Sequence, residues 1–295
     1  MRLDSDGVSE KHGAGGGGLG GGAPQGSDGP EAGGRRRRDQ SIDAPPPARW
    51  STDGFIPAVN VLAPDEVTRA RAEFDALEAR IGREAVEVGF LDRHFDVEFI
   101  WRLATHPRVL DAVEALMGPD LLLLASGFFT KYPVADRGER FVAWHQDVTY
   151  WGLEPALAAT AWLAIDDVDE DNGCMRFIPG SHRVGLLAHA TSSRAGNLLS
   201  INQEVPADLV DETRAVSVPL RAGQASLHHG LLLHASFENH SSRRRCGLAL
   251  RYVPPEVQQV VPNSRGGLWS AVLVRGRDRG GHFPPRAVPW GPPDP

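Results

Sequence analysis

The chain has 295 residues, a net charge of −7 and an apolar fraction of 41%. These values suit one folded domain with a sizeable core, with or without a tail. The negative charge argues against nucleic acid as a partner, and the chain has no apolar run near the ~20 residues that span a bilayer, so we expect no membrane partner. Cys174 and Cys246 do not form a disulfide framework and indicate a reducing compartment, so we expect a cytoplasmic location.

Residues 1–53 differ in composition from the rest of the chain. Gly13–Gly22 is nearly all glycine, Arg35–Arg38 is a run of arginines and Pro45–Pro47 is a run of prolines. A segment of this composition cannot bury enough apolar surface to fold, which predicts a disordered tail. We therefore place the folded domain at residues 54–295.

Two helices are predicted before a long series of strands. Pro64–Ile81 has a proline in its first turn and a glycine directly after it, and Pro107–Met117 is the second predicted helix. Leu121–Tyr132 is typical of a buried strand. Short apolar runs then alternate with Gly, Pro, Asn and Asp clusters, which predicts a mainly β protein, a barrel or jelly roll, with supporting N-terminal helices.

His145, Asp147 and His234 form the motif that best indicates chemistry. Their flanks are rich in β-branched, aromatic or leucine residues, which predicts strands, and residues i and i+2 of a strand point to the same face. Two imidazoles and one carboxylate can occupy one face of an octahedral metal ion, as in non-haem Fe(II) oxygenases. Zinc is the rival metal, but structural zinc prefers four Cys or His ligands.

Arg245 directly precedes another apolar run and is a candidate for binding a carboxylate. The planar fork of arginine pairs with a carboxylate through two parallel hydrogen bonds. The neighbours Arg243 and Arg244 offer the same chemistry, and the alternative is that all three form a solvated turn. Ser236 is either a second donor to the same carboxylate or an ordinary strand serine.

The chain resembles the phytanoyl-CoA dioxygenase family from about residue 55 to about residue 285. The resemblance rests on His145-Gln146-Asp147, on Trp162, on residues 172–182, and on His234-x-Ser236-x-x-Asn239-x-Ser241 followed by Arg245. Leu198-Leu199-Ser200 and residues 275–283 are similar to a bacterial branch of the family that contains biosynthetic hydroxylases and halogenases. Halogenases of that branch carry Ala or Gly in place of Asp147, so the resemblance implies a hydroxylase-type oxygenase.

The resemblance implies a double-stranded β-helix (jelly roll) that binds Fe(II), 2-oxoglutarate and O2. It assigns His145, Asp147 and His234 to the metal and to catalysis, and Arg245 to the far carboxylate of 2-oxoglutarate. The family pattern favours Arg245 over its two arginine neighbours. Trp162 matches a position beside the co-substrate, and a plain core tryptophan is the alternative.

The implied reaction is hydroxylation of an unactivated carbon in a small molecule of secondary metabolism, such as an amino acid or acyl group, free or carrier-bound. The same chemistry can also give desaturation, epoxidation or cyclisation. A jelly roll that binds metal without catalysis is the alternative from a different class.

Several residues near these motifs have two interpretations. Lys131, at the end of the predicted buried strand, is either a cation for an anionic substrate or for 2-oxoglutarate, or a surface lysine, and exposure is the favoured interpretation. Trp144, Tyr150 and Trp151 flank the metal motif and belong to the substrate pocket or to the core. The surplus imidazoles that could replace His234 as a ligand are His228, His229 and His240.

Overall fold

The computed structural model describes residues 47–88, 90–262 and 266–291. The described residues all lie within one compact unit, residues 39–295. The predicted tail lies outside the described residues up to residue 46. Its last residues form a helix, Pro47–Asp53, whose Trp50 is buried in the core. The ordered part therefore begins before residue 54, because Trp50 supplies apolar surface that the composition of the tail as a whole lacks.

The α-helices of the described residues precede or interrupt the β structure. They are α1 (Pro47–Asp53), α2 (Pro64–Ile81), α3 (Arg83–Glu87), α4 (Glu98–Ala104), α5 (Pro107–Met117) and α6 (Val134–Arg137). The two helices predicted from the sequence match α2 and α5 at both ends. Pro at the first turn and Gly after the last turn define these ends, because each residue acts through its own backbone geometry.

Apart from β1, the strands of the described residues begin after the first five helices. They are β1 (Phe55–Asn60), β2 (Leu121–Lys131), β3 (Val142–His145), β4 (Leu153–Glu154), β5 (Ala159–Ala164), β6 (Met175–Phe177), β7 (Ala190–Thr191), β8 (Gln203–Glu204), β9 (Val216–Val218), β10 (Gln224–His229), β11 (His234–Ser236), β12 (Arg245–Val253), β13 (Gln258–Gln259) and β14 (Val272–Arg275). The strand predicted at residues 121–132 matches β2.

Two antiparallel sheets make up most of the β structure. The major sheet has the order β1-β10-β5-β12-β2-β14, and the minor sheet has the order β3-β11-β6-β9. A cluster of buried side chains from both sheets, which includes Phe55, Trp162 and Phe177, lies between them. The predicted mainly β jelly roll with supporting N-terminal helices is confirmed.

The helices cover the outer face of the major sheet. Phe74 of α2 and Val113 of α5 share one apolar cluster with Leu248 and Leu250 of β12. The Tyr252 hydroxyl donates a hydrogen bond to the carbonyl at the end of α4, at 2.7 Å. Even-numbered residues of β12 therefore face the helices, and the odd-numbered residues face the space between the sheets.

The inward face of β12 carries two arginines separated by two small residues. Arg245, Ala249 and Arg251 line the cavity between the sheets, and Gly247 lies against the ring of Trp162. A Cβ atom at position 247 would overlap that ring. The glycine is required here because the indole lies where a side chain would stand.

We predict that Gly247→Ala lowers the free energy of unfolding by about 1–3 kcal/mol, the usual cost of forcing an extra carbon into a packed core. Denaturant unfolding measures this change. Gly127→Ala on the neighbouring β2 is the matched control, because a Cβ atom there meets the end of the Leu91 side chain, which can move. An equal loss of unfolding free energy in both variants would contradict the view that the Trp162 ring requires glycine at position 247.

Candidate metal centre and adjoining cavity

His145, Asp147 and His234 come together between the two sheets. One possible ligand atom from each lies within 4.8 Å of the others, and all three side chains are buried. His145 ends β3 and lies directly opposite His234 at the start of β11, with ring centroids 4.0 Å apart. Cross-strand pairing therefore brings together two residues that are 89 positions apart in the chain.

The hydrogen bonds of the two imidazoles leave their Nε2 atoms available. Nδ1 of His145 lies 2.9 Å from the Ala143 carbonyl, and Nδ1 of His234 lies 2.9 Å from the Leu232 carbonyl. Carbonyls only accept, so both Nδ1 atoms carry the proton. The unprotonated Nε2 atoms of His145 and His234 then lie 3.7 and 4.0 Å, respectively, from Oδ1 of Asp147. Burial holds the pKa of His234 well below its usual range, which keeps this imidazole neutral and able to bind metal.

The strand predicted through Asp147 ends earlier in the structure. β3 stops at His145, Gln146 remains extended, and a 3₁₀ turn spans Asp147–Tyr150. The extended Gln146 keeps His145 and Asp147 on one side, while its own amide points away. That amide donates to the Gly185 and Leu231 carbonyls at 2.8 Å each.

The carboxylate of Asp147 is oriented by two hydrogen bonds to one oxygen. Oδ2 accepts from the Thr160 hydroxyl at 2.7 Å and from Nε2 of His228 at 3.2 Å. Oδ1 therefore faces the two imidazoles. His228, an alternative ligand in the sequence, instead contacts Asp147, and its own pKa is lowered by burial.

Arg251 is a third residue close to the Asp147 carboxylate. Burial alone would raise the pKa of Asp147, but the charge of Arg251 and the neighbouring imidazoles outweigh it and hold the pKa well below its usual range. No sequence motif predicted Arg251, Thr160 or His228 as partners of Asp147. The signal for Arg251 was its spacing, six residues after Arg245 on one strand, which places both on the same face.

Arg245 is buried beside the triad and has few partners. Its Nη1 donates to the Phe129 carbonyl at 3.4 Å, its Nε has no hydrogen-bond partner, and its guanidinium carbon lies 4.3 Å from the centre of the Trp162 ring. Burial lowers the pKa of Arg245 to about 10, so it remains charged at neutral pH. Trp162 therefore packs on a buried cation as well as on the core.

Lys131 is buried, with 0% of its surface exposed, so the favoured interpretation of a surface lysine is wrong. Its Nζ donates to the Ser236 hydroxyl at 2.5 Å and to the Phe237 carbonyl. β2 and β12 pair Lys131 directly with Arg245. Burial, followed by the charge of Arg245, holds the pKa of Lys131 well below its usual range. Lys131, Ser236, Arg245 and Trp162 thus form one wall beside the triad.

The other candidates lie elsewhere. Arg243 pairs with Asp169 at 2.7 Å, and Arg244 pairs with Asp166 at 2.8 Å, so both arginines are satisfied outside the site. The ring of His229 packs against Trp50. The side chain of His240 is 68% exposed. Trp144 packs beside Arg176, away from the site.

A cavity of about 480 Å³ opens next to the triad and reaches Asp147 and Arg251. Its walls are mainly apolar and aromatic, and Tyr150 and Trp151 are among them. The 3₁₀ turn after Asp147 directs these two side chains into the cavity wall. Both tyrosine and tryptophan therefore belong to the cavity, and Trp151 is also buried in the core that supports it.

Residues 50–247 match the family model for phytanoyl-CoA dioxygenase (PhyH). The chain belongs to the phytanoyl-CoA dioxygenase family. The peroxisomal phytanoyl-CoA dioxygenase of Mus musculus is 24% identical over 233 residues, which are 71% of this chain and 68% of that protein. The chain thus spans about two thirds of the length of this relative.

Two solved structures are similar over most of the chain. The non-haem monooxygenase ThoJ in its apo form is 36% identical with a TM-score of 0.68, and the match covers 82% of this chain and 88% of ThoJ. CytC3 with Fe(II) and alpha-ketoglutarate is 26% identical with a TM-score of 0.57, covering 82% of this chain and 96% of CytC3. This member of the phytanoyl-CoA dioxygenase family is therefore a 2-oxoglutarate-dependent non-haem iron dioxygenase, with Fe(II), 2-oxoglutarate and O2 as its cofactor and co-substrates.

The helices of the described residues do not include one with the length and apolar character that a bilayer crossing requires.

We predict that Thr160→Val weakens Fe(II) binding about 10- to 100-fold, the usual effect of losing a hydrogen bond to a metal-binding side chain. The hydroxyl orients the Asp147 carboxylate, and valine keeps the shape without the donor. Anaerobic titration with Fe(II) measures the affinity. Ser226→Ala on β10 is the matched control, because the buried Ser226 hydroxyl has no hydrogen-bond partner. A similar loss in both variants would point to general disruption of the core.

Proposed function

We propose that the enzyme hydroxylates an unactivated carbon of a small molecule, with Fe(II) held by His145, Asp147 and His234. The observation that carries this proposal is the complete triad, including Asp147, at the edge of a 480 Å³ cavity. A protein carboxylate at the third position occupies the place where the resembling halogenases have a small residue. The triad leaves the remaining metal positions for 2-oxoglutarate and O2.

The wall beside the triad fits the far carboxylate of 2-oxoglutarate. Arg245 is a buried cation whose Nε lacks a partner, and a carboxylate would supply two hydrogen-bond acceptors to its planar fork. Ser236 accepts a hydrogen bond from Lys131, so its own hydroxyl proton is free to donate to the same carboxylate. Trp162 holds the guanidinium plane in position.

When bound, the iron and its two co-substrates supply the oxidant that removes hydrogen from an unactivated carbon. The protein orients the reacting groups and excludes water from the buried triad. Asp147 presents Oδ1 because Thr160 and His228 hold Oδ2. The cavity walls position the substrate beside these groups and prevent side reactions.

The cavity beside the triad limits the size and the chemical character of the substrate. The cavity fits a ring system or a short chain, whether free or at the end of a carrier. Desaturation, epoxidation and cyclisation begin with the same hydrogen removal, and they differ from hydroxylation in the mass of the product. Mass spectrometry of the product separates these outcomes.

We predict that anaerobic addition of 2-oxoglutarate to the Fe(II)-loaded protein produces a metal-to-ligand charge-transfer band, and that Arg245→Ala loses this band at the same ligand concentration. The reason is that Arg245 supplies the charge that holds the far carboxylate. Visible absorption measures the band. Arg243→Ala is the matched control, because Arg243 pairs with Asp169 at the surface. An iron-loaded wild type without a band would overturn the proposal in favour of metal binding without catalysis.

We predict that Asp147→Ala abolishes hydroxylation, because the variant loses the anionic metal ligand. Product formation by mass spectrometry and substrate-stimulated release of succinate measure the activity. The control is Asp136→Ala, which removes an exposed carboxylate on α6. Hydroxylated product from Asp147→Ala at the wild-type rate would show that Asp147 is not an obligatory ligand.

A further inference from the structure

Arg251 is a buried cation without an adequate partner. Its surface is 6% exposed, its Nε has no hydrogen-bond partner, and its Nη2 reaches Oδ1 of Asp147 only as an ion pair at 3.8 Å. Burying a charged group without hydrogen bonds is costly, so such groups are retained for a reason other than stability. The fold therefore keeps a guanidinium available for another ligand.

The backbone of Arg251 holds this guanidinium between the triad and the 480 Å³ cavity. β12 is paired on one side with β5 and on the other with β2, so its backbone cannot move aside. The guanidinium carbon lies 5.6 Å from the centre of the Phe129 ring and 5.8 Å from that of Trp151. Arg251 lines both the small cavity between the sheets, which contains the triad, and the adjoining 480 Å³ cavity. A ligand in the cavity can therefore contact Arg251 beside Asp147.

The charges of the loaded site leave Arg251 uncompensated; this step rests on the proposed function. Fe(II), Arg245 and Arg251 carry four positive charges, while Asp147 and 2-oxoglutarate carry three negative charges. Lys131 beside Arg245 adds no negative charge, and Asp92 and Arg286, which also line the cavity, carry opposite charges. Asp147 cannot neutralise the metal and Arg251 at once. A further anion beside Arg251 would balance the site, and the large cavity has room for the molecule that brings it.

The rest of the cavity wall indicates what accompanies this anion. Six aromatic rings from four parts of the chain line it: Phe95, Phe128, Phe129, Tyr150, Trp151 and Trp269. Aliphatic side chains such as Leu198 and Leu199 also line it, together with polar or charged side chains such as Asp92, Ser126 and Arg286. These surfaces favour an aromatic or apolar group over a polar one.

We propose that the substrate is an aromatic or aliphatic carboxylic acid whose carboxylate pairs with Arg251. The planar fork binds the two carboxylate oxygens, and the apolar part packs against the rings. Because Arg251 lies next to Asp147, the carbon that is hydroxylated is close to the carboxylate. Arg251 thus selects the substrate and sets its orientation to the metal.

The near carboxylate of 2-oxoglutarate offers Arg251 the same chemistry, so the experiment has two arms. In the first arm, calorimetry measures binding of three acids and their neutral amides to the anaerobic protein loaded with Fe(II) and 2-oxoglutarate. The pairs are 3-phenylpropanoate and its amide, indole-3-propanoate and its amide, and octanoate and its amide. At least one acid should bind about tenfold or more tightly than its amide, the usual worth of a charge-assisted hydrogen bond.

Arg251→Gln should remove this preference, and Arg251→Lys should keep part of it, which also shows that the site folds. Arg286→Gln is the matched control, because Arg286 lines the same cavity with an exposed side chain packed on Phe95, and the preference should persist there. An absence of acid preference in all three wild-type pairs overturns the proposal. A preference that survives in Arg251→Gln also overturns it.

In the second arm, visible absorption follows 2-oxoglutarate binding to the Fe(II)-loaded Arg251→Gln variant. Half-saturation at the wild-type concentration supports a substrate carboxylate as the partner. A tenfold or greater increase would assign Arg251 to the co-substrate and overturn the proposal. A wild type that shows acid preference but no charge-transfer band would refute the proposed function and leave the carboxylate site standing.

Discussion

The register between β3 and β11 is the constraint on which the metal centre depends. It places His145 directly opposite His234, and the carbonyls of Ala143 in β3 and of Leu232 just before β11 hold the proton of each ring on Nδ1. A shift of one residue would turn an imidazole to the opposite face of the sheet. β3 ends at His145, and the 3₁₀ turn that follows Gln146 brings the Asp147 carboxylate close to the two imidazole rings. Pairing and turn together therefore build the triad.

β12 separates the apolar and charged parts of the molecule. One face carries Leu248, Leu250 and Tyr252 into the cluster beneath the helices, and the other carries Arg245 and Arg251 into the space between the sheets. Burying the two cations is unfavourable, because a charge that leaves water needs compensation, and the packing of the apolar face offsets this cost. The two guanidiniums on this face are the groups that we propose bind the two anions.

The sequence allowed prediction of the elements whose signals are local. Helices α2 and α5 have a proline at the start and a glycine after the end, so their limits follow from short-range backbone geometry. The triad was also predictable, because His145 and Asp147 are neighbours and His234 carries the Ser236 and Arg245 spacing of the family. The burial of Lys131 was not predictable, because it depends on the turn after β11 that covers its ammonium group.

The sequence by itself determined the class of the protein: a jelly roll whose ligand types and spacing suit Fe(II) and 2-oxoglutarate. Only the tertiary structure decided the partners of those ligands. His228 was an alternative ligand in the sequence, and the pairing of β10 with β5 places it and Thr160 on the same oxygen of Asp147. Arg251 had no motif, and its role follows from burial and charge beside a cavity formed by distant segments. Spacing places Arg251 on the same strand face as Arg245, but its contact with Asp147 cannot be predicted from spacing, because the register of several strands fixes that contact.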